Sequence, residues 1–164
     1  MEHIATLANG KKVYADLTGS HLATHFADFP GLAALVKDFL ATQSFTEPEV
    51  YAEYDMGKVV GTSDLVETQD SDEIVYAKRL NRDTYTRFVK RRSAIPTSYI
   101  TISLHQDGDG NYELSSAWIG QICPLFPDRP GATAESGPFW TTHALVWGNQ
   151  TIQEGTETTI SPWD

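Results

Sequence analysis

Basic residues concentrate in one short stretch of the chain, and their types and spacing suit the binding of an anion. Residues 78–92 hold seven Lys and Arg side chains and a single acidic one, Asp83. Tyr85 and Phe88 are interleaved with them. Cations stabilise phosphate oxygens, and neighbouring aromatic rings can stack on exposed bases. The segment therefore predicts a surface for an anionic partner. The cations are Lys78, Arg79, Arg82, Arg87, Lys90, Arg91 and Arg92.

The overall charge points the opposite way from this segment. The chain has 12 Lys and Arg against 22 Asp and Glu, a net charge of −10, which by itself disfavours nucleic acid as a partner. The segment carries +6, however, and the remainder carries −16. A second interpretation stays open, in which a solvated basic strand pair neutralises the nearby acidic residues Asp70, Asp72 and Glu73.

Histidines supply the candidates for proton transfer. His143 is predicted on a helix over residues 139–147, on the same face as Phe139 and Trp147. It is either a hydrogen-bonded histidine in an aromatic face or a general acid or base. His21 and His25 stand four residues apart and could share a helix face, as metal-binding pairs do. Because no third ligand is evident, no metal and no other cofactor is expected.

Composition and motifs narrow the classes of protein. The 164 residues with 40% hydrophobic types predict one domain with a real core. One cysteine, Cys123, excludes an internal disulfide framework. No apolar run reaches about 18 residues and no signal peptide is evident, which favours a cytoplasmic protein without a membrane partner. The signatures of serine hydrolases, P-loop enzymes, dinucleotide-binding enzymes and zinc proteases are all missing.

Periodicity predicts an α+β fold. A helix over 30–41 is followed by strands over 74–80, 85–90, 97–104 and 112–119, and then by the helix over 139–147. Residues 50–55 fit a strand or a last helical turn equally well. The prediction is an N-terminal helix, a central antiparallel β-meander of four to five strands and a C-terminal helix. One domain is expected over 1–164, with a loosely held tail over about 149–164.

The order of these elements resembles a known superfamily. A leading helix precedes the basic strand KRLNRDTYTRFVK (78–90), then PTS (96–98) leads into an alternating strand, and a hairpin leads into YELSSAWIG (112–120). Over about residues 50–120 this is similar to the ribonuclease-toxin superfamily of barnase, EndoU, colicin nuclease domains and RelE. The resemblance implies RNA held on an open sheet face and cleaved without metal by attack of the ribose 2′-hydroxyl.

Roles for individual residues follow from that resemblance. Arg87 and Lys90 would neutralise phosphate charge and His143 would transfer protons, since the reaction needs both functions. Arg87 and Lys90 are expected to be exposed. Ser98 or Ser116 would position the phosphate. The RNA-binding residues would be Lys78, Arg79, Arg82, Tyr85, Phe88, Arg91, Ser98 and Ser116.

The first predicted function is a metal-independent ribonuclease that would be the toxin of a bacterial or phage conflict system. Two other functions stay open. The acidic remainder of the chain suits a non-enzymatic antitoxin or immunity protein that neutralises a basic partner. A structural or regulatory domain with a small-molecule cleft is the third. The expected partners are accordingly RNA or another anionic ligand, and a cognate antitoxin or other protein.

Overall fold

The computed structural model describes residues 1–164 and confirms a mixed α+β protein. Its strands belong to three separate sheets, so the single meander of the prediction is not what forms. The chain divides into two compact units, each made of two stretches of sequence. Unit 1 comprises 1–61 and 97–122, and unit 2 comprises 62–96 and 123–164. No helix is both long and apolar enough to cross a bilayer.

Unit 1 is a five-stranded sheet with two helices packed against it. Its strands are β1 (Glu2–Thr6), β2 (Lys12–Ala15), β3 (Glu49–Asp55), β9 (Tyr99–Gln106) and β10 (Tyr112–Ile119), in the order β1-β2-β10-β9-β3. Most neighbours are antiparallel, whereas β2 and β10 are parallel. The chain thus starts with a hairpin rather than with the expected leading helix, and residues 50–55 are a strand.

Alternation in β9 decides which face of this sheet is the core. Ile100, Ile102 and Leu104 are fully buried and pack with Val36 and Leu40 from a helix. That helix is α2 (Leu32–Leu40), close to the predicted 30–41, and it starts after Gly31, whose φ of +93° favours glycine. Helix α1 (His21–Asp28) was not predicted as an element. It buries only Leu22, and its first turn is capped by the Ser20 hydroxyl, which accepts from the Ala23 amide at 3.0 Å.

Unit 2 is a four-stranded sheet that is packed on both faces. Its strands are β5 (Leu65–Glu67), β6 (Ile74–Lys78), β7 (Tyr85–Val89) and β11 (His143–Val146), in the order β5-β11-β7-β6. Val66, Val89, Ala144 and Val146 form one core, and another cluster on the opposite face contains Val75, Ala77 and Phe88. Because both faces are covered, β7 is buried from Thr86 to Val89.

The predicted C-terminal helix is shorter than expected. Helix α3 (Ser136–Thr142) ends at His143, whose backbone is extended, and the next residues form β11. Ala144 and Val146 are buried and pair with β5 and β7. The apolar run His143–Val146 is thus a strand, since a short apolar run fits either kind of element. Two further short strands, β4 (Gly61–Ser63) and β8 (Ile95–Thr97), pair with each other.

Truncation of Ile102 tests the core of unit 1. Ile102 is 0% exposed, so Ile102→Ala should lower the free energy of unfolding by about 2–5 kcal/mol through lost burial and a cavity. Ile160→Ala is the matched control, because Ile160 is 77% exposed and its loss should change stability by less than about 0.5 kcal/mol. Chemical denaturation measures both. Equal losses for the two variants would contradict the described core.

Candidate functional site

The candidate site is a cavity of about 340 Å³ in unit 2. Its volume is at the small end of the range for small-molecule sites. The lining combines one cation, several aromatic rings and a few hydroxyl groups. The lining residues are Tyr76, Arg87, Pro127, Gly137, Trp140, Thr141, Ser161, Trp163 and Asp164.

Arg87 supplies the cation, and strand pairing places it. In the β6–β7 ladder Arg87 lies directly opposite Tyr76, so both side chains lie on the same face of the sheet. The guanidinium Nη1 donates to the Thr68 hydroxyl and to the His143 carbonyl, each at 2.9 Å. Arg87 is only 9% exposed, which corrects the expectation of an exposed side chain. The expectation was wrong because both faces of this sheet are covered, which the charge of the side chain does not reveal.

The charge of Arg87 is not balanced by a carboxylate in contact. The ion pairs of the chain join other residues, and Thr68 and the His143 carbonyl are neutral acceptors. The Nε atom is buried and has no hydrogen-bond partner. A buried charge is expensive unless it is paired and hydrogen-bonded. Arg87 therefore lines the cavity with a positive charge that no carboxylate contacts, and its buried Nε lacks a hydrogen-bond partner.

Trp163 supplies a second unused donor at the same cavity. Its indole Nε1 is likewise buried and without a partner. The Trp163 ring meets the Tyr76 ring edge-on at a centroid distance of 5.2 Å and stacks on Phe126 at 6.1 Å. Trp140, which is 1% exposed, also packs on Phe126, at a centroid distance of 4.4 Å. Two residues that carry buried donors without partners, Arg87 and Trp163, thus line a cavity with aromatic walls.

Backbone hydrogen bonds hold the tail that carries Trp163. The amides of Tyr76 and Thr158 each donate to the other's carbonyl at 2.8 Å, at the edge of β6. Gln153 donates from its backbone to the Lys78 carbonyl at 2.8 Å and from its side chain to the Arg82 carbonyl at 2.6 Å. The stretch over 149–164 was predicted to be loosely held; in the structure it extends the sheet by these contacts.

Two other cations of the basic segment are paired with neighbouring carboxylates. Arg91 and Arg92 form ion pairs with Glu73 and Asp72, at 2.7 and 2.9 Å. Because Asp72 accepts from the Gln69 amide and from Arg92, its pKa lies below the ordinary value. Neutralisation of neighbouring acidic residues, the second interpretation of the segment, is therefore what these two arginines do.

Three further cations of the segment contact aromatic rings or polar side chains. The ammonium groups of Lys78 and Lys90 lie 5.1 and 5.5 Å from the ring centroids of Tyr85 and Trp147. Arg79 donates to Thr86 and Gln150 and lies over the Phe126 ring, which Trp140 also contacts. Burial lowers the pKa of Arg79. Arg82 is exposed.

Arg87 and Lys90, the predicted pair of phosphate-binding cations, are not brought together. Lys90 contacts Trp147, which packs on Phe88 at 5.3 Å. Phe88 is the neighbour of Arg87 in β7, and adjacent residues of a strand face opposite sides of the sheet. Phe88 itself is 1% exposed and belongs to the core. The predicted phosphate-positioning residues Ser98 and Ser116 belong to unit 1, whereas the cations belong to unit 2.

His143 touches Arg87 through its backbone, and its ring is held separately. The imidazole stacks on Phe139 at 4.0 Å with an interplanar angle of 5°. Its Nδ1 lies 3.1 Å from the Phe139 carbonyl and 2.9 Å from the Thr142 hydroxyl. A carbonyl can only accept, so this bond assigns the proton of a neutral ring to Nδ1. Nε2 then carries the lone pair.

Sequence reasoning found Arg87 but missed its surroundings. Tyr76, Trp140 and Trp163 lie 11 residues before and 53 and 76 residues after Arg87, and no local pattern joins them. The feature of the sequence that could have indicated the site is Trp163, an aromatic residue in SPWD (161–164) that follows a polar stretch. Large aromatic side chains with a polar atom are common lining groups of binding sites.

Cys123 provides a test of the surroundings of Arg79. Burial raises the pKa of the Cys123 thiol, and the nearby Arg79 opposes this only in part. The thiolate is the reactive form, so the pH midpoint of alkylation by iodoacetamide should lie above the ordinary value of about 8.5. The unfolded chain in guanidinium chloride is the control and should show the ordinary midpoint. A native midpoint at or below that of the unfolded chain would contradict the described burial.

Comparisons with known proteins add no relative to this description. No family model matches the chain, no curated protein matches it, and no solved structure is similar to it. The resemblance to the ribonuclease-toxin superfamily consequently stays a prediction. The candidate site is defined by its own geometry: a buried arginine that contacts no carboxylate, in a small aromatic cavity of unit 2.

Proposed function

We propose that unit 2 is a binding domain for a small ligand that carries an anionic group on a planar ring. The observation that supports it is the pair of unused donors, Arg87 Nε and Trp163 Nε1, on residues that line one cavity. Buried polar groups normally have partners, so two unsatisfied donors beside one cavity call for an acceptor from outside the chain. A carboxylate or phosphate supplies acceptor oxygens and a negative charge that can contact Arg87.

The aromatic lining supports the planar part of the ligand. Tyr76, Trp140 and Trp163 offer ring surfaces, and stacking on aromatic side chains tolerates any planar π-system. A nucleotide and an aromatic carboxylic acid share this chemistry. The cavity of about 340 Å³ limits the ligand to a molecule of that size or to one nucleotide of a longer strand.

Asp164 gives the proposal a charge test. It lines the same cavity and is exposed, and it forms no ion pair with Arg87. Its carboxylate opposes an anionic ligand and would favour a cationic one. Asp164→Asn should therefore strengthen the binding of an anion.

Ligand binding is measured by quenching of tryptophan fluorescence, since Trp140 and Trp163 line the cavity. Uridine and adenosine monophosphates, benzoate and indole-3-carboxylate are the anionic probes; the corresponding nucleosides and amides are neutral controls. At least one anion should bind more tightly than its neutral partner. Arg87→Met should weaken that binding by about 10- to 100-fold, the equivalent of a charge-assisted hydrogen bond of roughly 1.5–3 kcal/mol.

Matched variants separate binding from folding. Arg82→Met removes an exposed arginine and should leave the affinity unchanged. Trp163→Phe keeps a ring but removes the unused N–H, and should weaken binding with little change in melting. Binding of neutral and anionic probes with equal affinity, or weaker anion binding by Asp164→Asn, would overturn the proposal.

A ribonuclease is the second candidate, and one observation favours it. The Nδ1 contact of His143 leaves Nε2 as an available base, and the His143 carbonyl is bonded to Arg87. A base of this kind could take the proton of a ribose 2′-hydroxyl while a cation stabilises the phosphorane. This proposal requires an RNA phosphate to reach both groups.

Cleavage of total RNA in the presence of a chelator tests the second candidate. It predicts products ending in 2′,3′-cyclic phosphate and a loss of at least about 100-fold for His143→Gln, the usual contribution of a general base. His105→Gln is the control, because His105 contacts Glu113 in unit 1. An absence of cyclic-phosphate products, or full activity of His143→Gln, would remove this candidate while leaving the binding proposal intact.

A further inference from the structure

Two histidines on helix α1 bring their ring nitrogens together. His21 and His25 stand four residues apart, one above the other on the helix surface. Their Nε2 atoms are 3.0 Å apart, and the rings meet edge to face with centroids 4.5 Å apart. Both residues belong to unit 1, whereas the ligand cavity belongs to unit 2. The pair is therefore no part of the site described above.

The contact between the two rings determines which ring nitrogens carry a proton. Imidazole Nε2 can donate only where it carries the proton and accept only where it does not. In the neutral pair one ring thus donates from Nε2 and the other accepts. A metal ion would take the place of this shared proton, which moves to Nδ1 of the donating ring. Each Nε2 then has a lone pair, and the two atoms are close enough to bind one ion.

The separation of the two nitrogens fits a particular coordination geometry. With metal–nitrogen bonds of about 2.0–2.1 Å, a separation of 3.0 Å corresponds to an N–metal–N angle of about 91–97°. This is close to the right angle between neighbouring ligands of a tetragonal or octahedral ion. A tetrahedral zinc site would need the nitrogens a few tenths of an ångström farther apart. The spacing is compatible with a tetragonal or octahedral ion, and Cu²⁺ is the tightest binder of a nitrogen site among the first-row divalent metals.

We infer that His21 and His25 form a two-histidine site for a tetragonal divalent metal ion, with Cu²⁺ preferred. Helix α1 fixes the spacing, and its Ser20 cap and the buried Leu22 hold the helix. His21 is exposed, so an ion can enter from solvent.

The remaining coordination positions would be open. No group of three or more His, Cys, Asp or Glu side chains is placed to hold a metal ion. Phe29 stacks near His25 at 6.3 Å and supplies no ligand. Water or an external ligand would therefore complete the coordination shell, which makes the ion exchangeable.

Calorimetric titration of the full chain with Cu²⁺ at pH 7.4 tests the site. All proteins in the experiment carry His3→Gln, so that the imidazole near the start of the chain contributes nothing. The expected result is one Cu²⁺ per chain, with an electron paramagnetic resonance spectrum of a tetragonal ion with nitrogen ligands. His21→Gln and His25→Gln should each weaken binding by at least about tenfold. His105→Gln is the matched control and should bind normally.

Two further measurements keep the test decisive. Zn²⁺ should bind more weakly than Cu²⁺, and binding should weaken at acid pH because protonated imidazole is no ligand. Circular dichroism checks that His21→Gln is folded, as its exposed position predicts. Equal Cu²⁺ affinity with and without His21, or no binding to the parent chain, would overturn the inference. Neither result bears on the cavity of unit 2.

Discussion

A positive charge buried without a contacting carboxylate is the constraint on which the account of unit 2 depends. Arg87 is held by two neutral acceptors and keeps one donor unused. The free-energy cost of burying the Arg87 charge is tolerated because the surrounding sheet holds the side chain in place. Strand β7 pairs with β6 and β11, and hydrophobic clusters cover both faces of the sheet. Under the proposed function this arrangement would favour the binding of an anion, since the charge is already desolvated and positioned.

The same constraint gives a structural role to the C-terminal stretch. Its hydrogen bonds to β6 position Trp163 against Tyr76, and Trp163 completes the aromatic lining. The stretch is polar and rich in Thr, so its own side chains provide little burial. The edge of β6 supplies the order instead, because an unpaired strand edge offers donors and acceptors to any extended segment.

The sequence predicted much of the fold and only one residue of the cavity. Strands β6, β7, β9 and β10 follow from alternation and β-branched content, and α2 follows from the spacing of Leu32, Val36 and Leu40. The arrangement of the strands in three sheets depends on long-range pairing, as between β7 and β11, which local patterns do not encode. For the same reason Arg87 was identified as an important cation but was predicted to be exposed. The cations concentrated in 78–92 do not form one free anion-binding surface, because Arg91 and Arg92 are paired with neighbouring carboxylates.

The most direct test of the central claim is the nuclear magnetic resonance signal of the Arg87 Nε–H group, assigned by its loss in Arg87→Lys. Its position is followed while an anionic ring ligand from the fluorescence screen is added. The account predicts a saturable shift of this signal together with that of the Trp163 indole N–H, as both donors gain an acceptor. A ligand that binds at saturation while both signals keep their positions would contradict it.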